Sequence, residues 1–191
     1  MTEAGRPRLG KALLSDIAFA GCIVATMGIT FAAVGFPRSV PGAGLAAVAL
    51  TIARKDGQAR VIPNLANLAA ALLASSEALM SDAPLSAELD SLARGASTFL
   101  AFLGFRSAFR IWRGREGMGL GDVKLAGVLG LWLDWPYIPI AIEIACLSAI
   151  AWVLARKAIS GRPLDSLAKI PFGAFLAPAT WVAWMLESLL S

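Results

Sequence analysis

The sequence predicts an all-α fold: a polytopic membrane helix bundle with about seven transmembrane helices and its N-terminus in the cytoplasm. Three observations carry that expectation. Of the 191 residues, 58% are hydrophobic and only 16% are charged, which is too apolar for an ordinary soluble domain. The apolar residues come in runs separated by short polar breaks with proline and glycine, the pattern of successive spans and turns. The basic residues collect at alternate breaks: the N-terminus, 54–62, 106–124 and 156–169 hold 15 of the 17 lysines and arginines, leaving Arg38 and Arg94 for the other face. By the positive-inside rule the crowded face is cytoplasmic, and an odd number of spans puts the C-terminus outside.

Arg6, Arg8 and Lys11 precede an apolar run over 12–36. A basic start and an apolar run have the shape of a signal peptide, but this run exceeds the ~7–15 residues of such a segment and suits a bilayer span. Residues 37–41, with a proline at each end, break it, and a short second helix is expected over 42–54. The Asp56-Gly57 pair favours a turn in the loop that follows, and Pro63 suits the first turn of a third helix reaching about residue 80. The polar stretch 81–94, with Asp82, Glu88 and Asp90, reads as the longest loop, on the outer face. Further helices are expected over 95–111, 122–133, 137–155 and 171–190. Trp132, Trp135 and Tyr137 fall where interfacial aromatics belong. No internal repeat or long linker divides the chain, so 1–191 reads as a single integral membrane domain, with helix 12–36 ahead of a core over 40–190.

Composition removes several chemistries. The chain has no histidine, so histidine bases, Ser-His and Cys-His nucleophiles and histidine metal ligands are all absent. Cys22 and Cys146 sit in separate apolar stretches and form no CxxC, so they signal neither a metal site nor a disulfide framework and read as buried small residues. No metal or other cofactor is expected. The net charge of +4 lies in short clusters between apolar segments, which speaks for membrane topology and against a nucleic-acid partner.

What remains is carboxylate chemistry. The stretch Gly117-Met118-Gly119-Leu120-Gly121-Asp122-Val123-Lys124 delivers one acid to the mouth of an apolar helix, with glycines that let another backbone approach closely. Read alone, Asp122 is as well explained by helix capping. Asp56 falls on the same cytoplasmic face by the basic-residue pattern. Two such carboxyls brought together cannot both ionise cheaply and share a proton over a wide pH range. The ionised partner then takes a proton from water while the protonated one polarises a carbonyl, which hydrolyses a peptide without a covalent intermediate. The sequence alone does not show that the two acids meet.

Three segments resemble the signatures of type IV prepilin leader peptidases, a family of GxGD intramembrane aspartic proteases: Gly119-Leu120-Gly121-Asp122 followed by Lys124, Asp56 spaced from Ile62-Pro63-Asn64, and Ile170-Pro171-Phe172-Gly173. The resemblance covers about residues 45–190 and is closest to the short branch that serves Tad/Flp-type pili. It implies an aspartic endopeptidase in the bacterial inner membrane that removes a short basic leader, ending in glycine, from a prepilin at the cytoplasmic face. Asp56 and Asp122 would be the catalytic pair, Gly119 and Gly121 the approach to the second Asp, and Pro63, Asn64, Pro171, Phe172 and Gly173 the joints around the site. The implied partners are the prepilin, the lipid bilayer and the pilus assembly machinery. Larger members carry a cysteine-rich domain and also methylate the new N-terminus; these cysteines are missing here, which puts methylation in doubt. The extra helix 12–36 departs from the short pattern and has no assigned role.

Bland readings stand beside these. Lys124 binds substrate or simply snorkels to the interface. Glu143, an acid inside the sixth helix, is expected to hydrogen-bond within the bundle. As whole-protein rivals, a small transporter or channel would line an ion path with Asp56, Asp122 and Glu143. An inactive structural subunit of the pilus machinery would keep the fold without chemistry, and a GxGD protease of presenilin or signal-peptide-peptidase type would share the mechanism.

Overall fold

The structure is a computed structural model that describes residues 6–160 and 170–190. Arg162 and Lys169, two of the predicted cytoplasmic cations, lie outside the described residues, as do the side chains of Arg6, Arg8 and Lys11. Among the described residues there are seven helices and no strand: α1 (Arg6–Ala33), α2 (Ser39–Ala59), α3 (Asn64–Ala78), α4 (Pro84–Arg113), α5 (Leu120–Trp132), α6 (Tyr137–Ser160) and α7 (Gly173–Leu190). Three are long and apolar enough to cross a membrane: Leu14–Ala33, Tyr137–Ile159 and Gly173–Leu190.

The centre of the bundle is α5. Val123, Leu125, Ala126, Val128, Leu129 and Trp132 are all buried, and α5 packs against α3, α4 and α7. Trp132 is therefore core and not an interfacial aromatic: it is 5% exposed, donates its indole N–H to Ala70 O at 2.9 Å and meets Trp184 edge-on. The helix wins this position because its wall is thin. A Cβ on Gly130 would come within 2.6 Å of Arg94 O, and one on Gly95 within 2.6 Å of the Leu131 side chain, so α4 and α5 run antiparallel at a separation only glycines allow. On the other side α2 and α7 run antiparallel, with Gly42 under the Trp184 ring and Asp56 beside the start of α7. The two outermost helices, α1 and α6, pack chiefly on α2 and α7 respectively. The contact of α6 uses the small stripe Ala141, Ala145 and Ala149, all buried.

Several boundaries differ from the expected ones. The Asp56-Gly57 turn does not form. α2 continues to Ala59 and is closed by Arg60 in the left-handed conformation, φ 54°, with its N–H on Asp56 O. A glycine inside a helix costs about 1 kcal/mol, and here the continued helix places Asp56 in a buried contact with α7. Pro63 is the residue before α3 and not in its first turn; it is extended (ψ 129°), and its carbonyl accepts the Ala66 and Asn67 N–H groups.

The stretch 81–94 is not a long loop, because α4 starts at Pro84 and carries most of it. Its polar side chains find partners across the bundle: Ser75 donates to Glu88 at 2.9 Å, Ser91 to Leu131 O at 2.7 Å, and Arg94 pairs with Asp134 at 3.0 Å. Polarity there marks a partnered helix face. Cys22 and Cys146 are exposed and not buried, since both sit on outward faces of the peripheral helices. Glu143 is likewise exposed on α6 and is not turned into the bundle as expected.

Candidate active site

The last turn of α2 carries Asp56, which is 5% exposed. Its Oδ2 accepts the Ala174 N–H at 2.9 Å, and the Gly173 N–H also acts on it. These amides open α7, where the first N–H groups of a helix have no partner in their own helix and the dipole is positive. The segment Pro171-Phe172-Gly173 thus aims a helix N-terminus at a carboxyl. Glycine at 173 is a matter of room, because a Cβ there would lie 2.5 Å from Ile62 Cδ1 and 3.1 Å from Asp56 Oδ2.

The first turn of α5 carries Asp122. It is not the N-cap residue that the capping reading predicts; Gly119 holds that place, and Asp122, three positions on, reaches back so that its Oδ2 accepts the Gly119 N–H at 3.3 Å. Gly121 faces Ile62, with a Cβ built on it 3.2 Å from Ile62 Cβ. Lys124 donates from Nζ to Asn64 Oδ1 at 2.9 Å, tying α5 to the start of α3 across 60 positions. The lysine therefore has a partner at this end of the bundle beyond simple snorkelling.

The residues singled out in sequence thus gather at one end of the bundle, on the mouths of α2, α3, α5 and α7, while Glu143 stands apart on α6. Ile62, named in the sequence only as part of a signature segment and given no role of its own, fills with its side chain the space between Gly121 and Gly173. The signal was present in its place ahead of Pro63-Asn64, but an isoleucine carries no chemistry to draw attention.

Both carboxyls lie in the polar helix ends, beyond the apolar segments. Burial raises the Asp56 carboxyl above the usual range, opposed by the Ala174 and Gly173 amides. Burial, and then the negative charge of Asp56, push Asp122 up to about 6, opposed by the Gly119 and Gly173 amides. That Asp122 feels the charge of Asp56, and that the Gly173 N–H acts on both, puts the two side chains in one electrostatic unit although 66 positions separate them. Such a pair resists ionising at both sites at once, Asp122 keeping its proton up to about pH 6, and can there offer a base and an acid together.

Comparison with known proteins gives a consistent relationship. The chain is 40% identical over 80 residues to the prepilin leader peptidase/N-methyltransferase of Aeromonas hydrophila, covering 40% of this chain and 26% of that protein. It is 43% identical over 79 residues to the protein of the same name from Pseudomonas aeruginosa, covering 39% and 25%. It is 39% identical over 85 residues to leader peptidase HopD of Escherichia coli, covering 44% and 52%. The matched stretch is thus about a quarter of the length of the first two relatives. No solved structure matches. The model of the type IV leader peptidase family matches residues 43–154, more than half of the chain and inclusive of both Asp56 and Asp122, and the chain belongs to that family.

Proposed function

We propose that this chain is an intramembrane aspartic endopeptidase that removes the short basic leader of a Tad/Flp-type prepilin at the cytoplasmic face of the bacterial inner membrane. The observation that carries the reading is the α7 N-terminus aimed at a pair of carboxyls from α2 and α5. Asp56, held by two main-chain amides, is the ionised partner and takes a proton from water. Asp122, pushed up to about 6 by burial and by the charge of Asp56, is the protonated partner and gives its proton toward the scissile carbonyl oxygen as hydroxide adds to the carbon. Asp56 then passes its proton to the peptide nitrogen, the C–N bond breaks, and a hydroxyl of the tetrahedral gem-diol returns a proton to Asp122 as the new carboxyl forms, which resets the pair. Gly119 leaves the edge beside Asp122 low, so that an extended substrate backbone can lie close to it, while Gly121 makes room for Ile62. The proposal is for cleavage; the methyl transfer in the relatives' names is not part of it, and neither a metal nor another cofactor is required.

The accompanying topology has seven spans and a cytoplasmic N-terminus, in one domain over 1–191 with its core over 40–190. At 1.5 Å per residue the 13 residues of α5 and the 15 of α3 reach only about 20 Å, short of a ~30 Å hydrocarbon layer. The Asp pair, at the polar ends of α2 and α5, then sits at the cytoplasmic membrane surface, where water reaches it. The ion-path reading is disfavoured by Glu143, which faces outward.

The test is cleavage of a prepilin in membranes by Asp56→Asn, Asp122→Asn and the double variant. Each is expected to abolish processing at normal membrane levels of the protein, with the double variant no worse than either single one. Processing retained by either single variant would overturn the reading.

A further inference from the structure

The bundle gives the extra helix a task. α1 lies antiparallel on α2, so that Asp16 pairs with Arg54 near one end and Thr30 lies fully buried toward the other. Arg54 is also stacked on Phe19, 4.5 Å from the ring centroid. Thr30 in turn accepts the indole N–H of Trp181 at 3.2 Å, which joins α1 to α7. α1 therefore touches both helices whose ends make the Asp56 contact.

The direction of these contacts matters. Successive helical residues turn by about 100°, so Arg54 and Asp56, two positions apart, leave α2 on nearly opposite sides. Arg54 is drawn toward Asp16 and Phe19 of α1, while Asp56 faces the Ala174 amide of α7. Lys55, between them, is exposed. The last turns of α2 are thus gripped from two sides, and the grip from α1 falls half a turn from the carboxyl. A cation that merely marks the membrane surface needs neither an acid nor an aromatic partner on a separate helix.

We infer that α1 is a positioning helix: through the Asp16–Arg54 pair and Phe19 it fixes the end of α2 so that Asp56 stays on the N-terminus of α7. The inference rests on the aspartic reading of the site. Arg54 touches no reacting atom and acts through the placement of Asp56. Loss of the pair leaves the substrate surface intact and lets the carboxyl wander, so the defect belongs to kcat; displacement of a catalytic group by about 1 Å costs on the order of a hundredfold.

The experiment uses the full chain in lipid nanodiscs with a Tad/Flp-type prepilin, comparing Arg54→Gln, Asp16→Asn and the exchanged pair Asp16→Arg with Arg54→Asp. The single variants are expected to lose roughly tenfold or more in kcat with KM within about twofold, and the exchanged pair to recover most of the loss. In parallel, spin labels at positions 58 and 170, after Cys22 and Cys146 are replaced by serine, report the separation of the α2 and α7 ends without reference to cleavage. That distribution is expected to broaden in both single variants and to narrow again in the exchanged pair. An unchanged distribution in the single variants, or an exchanged pair as broad as they are, overturns the positioning role whatever the cleavage result. Processing by Asp56→Asn would instead remove the aspartic reading and leave the distance result to stand on its own.

Discussion

Removing one main-chain hydrogen bond should move the pH dependence of cleavage by a measurable amount. The Ala174 N–H donates to Asp56 Oδ2 at 2.9 Å and also to Pro171 O at 3.2 Å in the turn that opens α7, so Ala174→Pro removes this donor from the carboxyl together with one bond of that turn. Proline is tolerated in the first turn of a helix, and Gly173 before it has no Cβ to meet the ring. A hydrogen bond to a charged group is worth about 1.5–3 kcal/mol, and 1.36 kcal/mol corresponds to one pH unit. The Asp56 carboxyl, already raised by burial, should therefore rise further, and the free energy of the lost bond corresponds to a displacement of the acid limb by about one to two pH units. If Asp56 is the base, its ionised fraction at any given pH falls, and the acid limb of kcat/KM moves to higher pH by that amount. The assay is prepilin cleavage by purified protein from pH 5 to 9, followed as product on gels, with Ala174→Ser as the control that keeps the N–H. An acid limb that stays in place in a folded Ala174→Pro protein refutes the assignment of Asp56 as the base. A shift confined to the alkaline limb reverses the roles of the two acids.

Two other outcomes follow from charge and topology. Asp122 is held at about 6 in the fold against an ordinary aspartate value of 3.8, so the folded state binds its proton more tightly than the unfolded chain does. The stability this gives is present below about pH 4 and lost as pH rises through about 6, by up to about 3 kcal/mol before the discount for its partial exposure. Asp122→Asn should therefore raise the thermal midpoint at pH 8 and not at pH 4; an equal effect at both would discount the burial argument. Phosphatase-type reporter fusions at Asp82 should be active and at Arg115 silent, and the reverse pattern would place the Asp pair on the outer face.

The helical class and the succession of helices are legible in the sequence because apolar runs and their breaks are local signals. Helix ends are less so, and Asp56 shows why. Asp-Gly is a turn signal taken alone, but a buried contact with α7, 118 positions away, keeps α2 helical through it. The polar stretch before Gly95 misleads in the same way, since Glu88, Ser91 and Arg94 look like loop residues until Ser75, Leu131 and Asp134 are beside them. Residue types name the acids and glycines of the candidate site. The Lys124–Asn64 bond, the two faces of Ile62 and the exposure of Glu143 depend on which helix lies next to which, and no periodicity encodes that.

The gap between the mouths of α5 and α7 is gauged by hydrocarbon. Ile62 touches the bare faces of Gly121 and Gly173 at once, so the two helix ends that serve the acids share one spacer of fixed width. A methyl added to either glycine pushes that spacer against the other helix, and a loss of function at one mouth is therefore passed to the other. Thickness lost from the spacer should compensate: Gly173→Ala, poorly tolerated alone because its methyl would lie 2.5 Å from Ile62 Cδ1, regains prepilin cleavage when combined with Ile62→Val, which removes that Cδ1, whereas equal activity of Gly173→Ala with and without that change would show the two mouths to be set independently. Drift in this part of the sequence is then constrained in volume and not in charge, and a trio of residues with no ionisable group sets how far apart the two carboxyls stand.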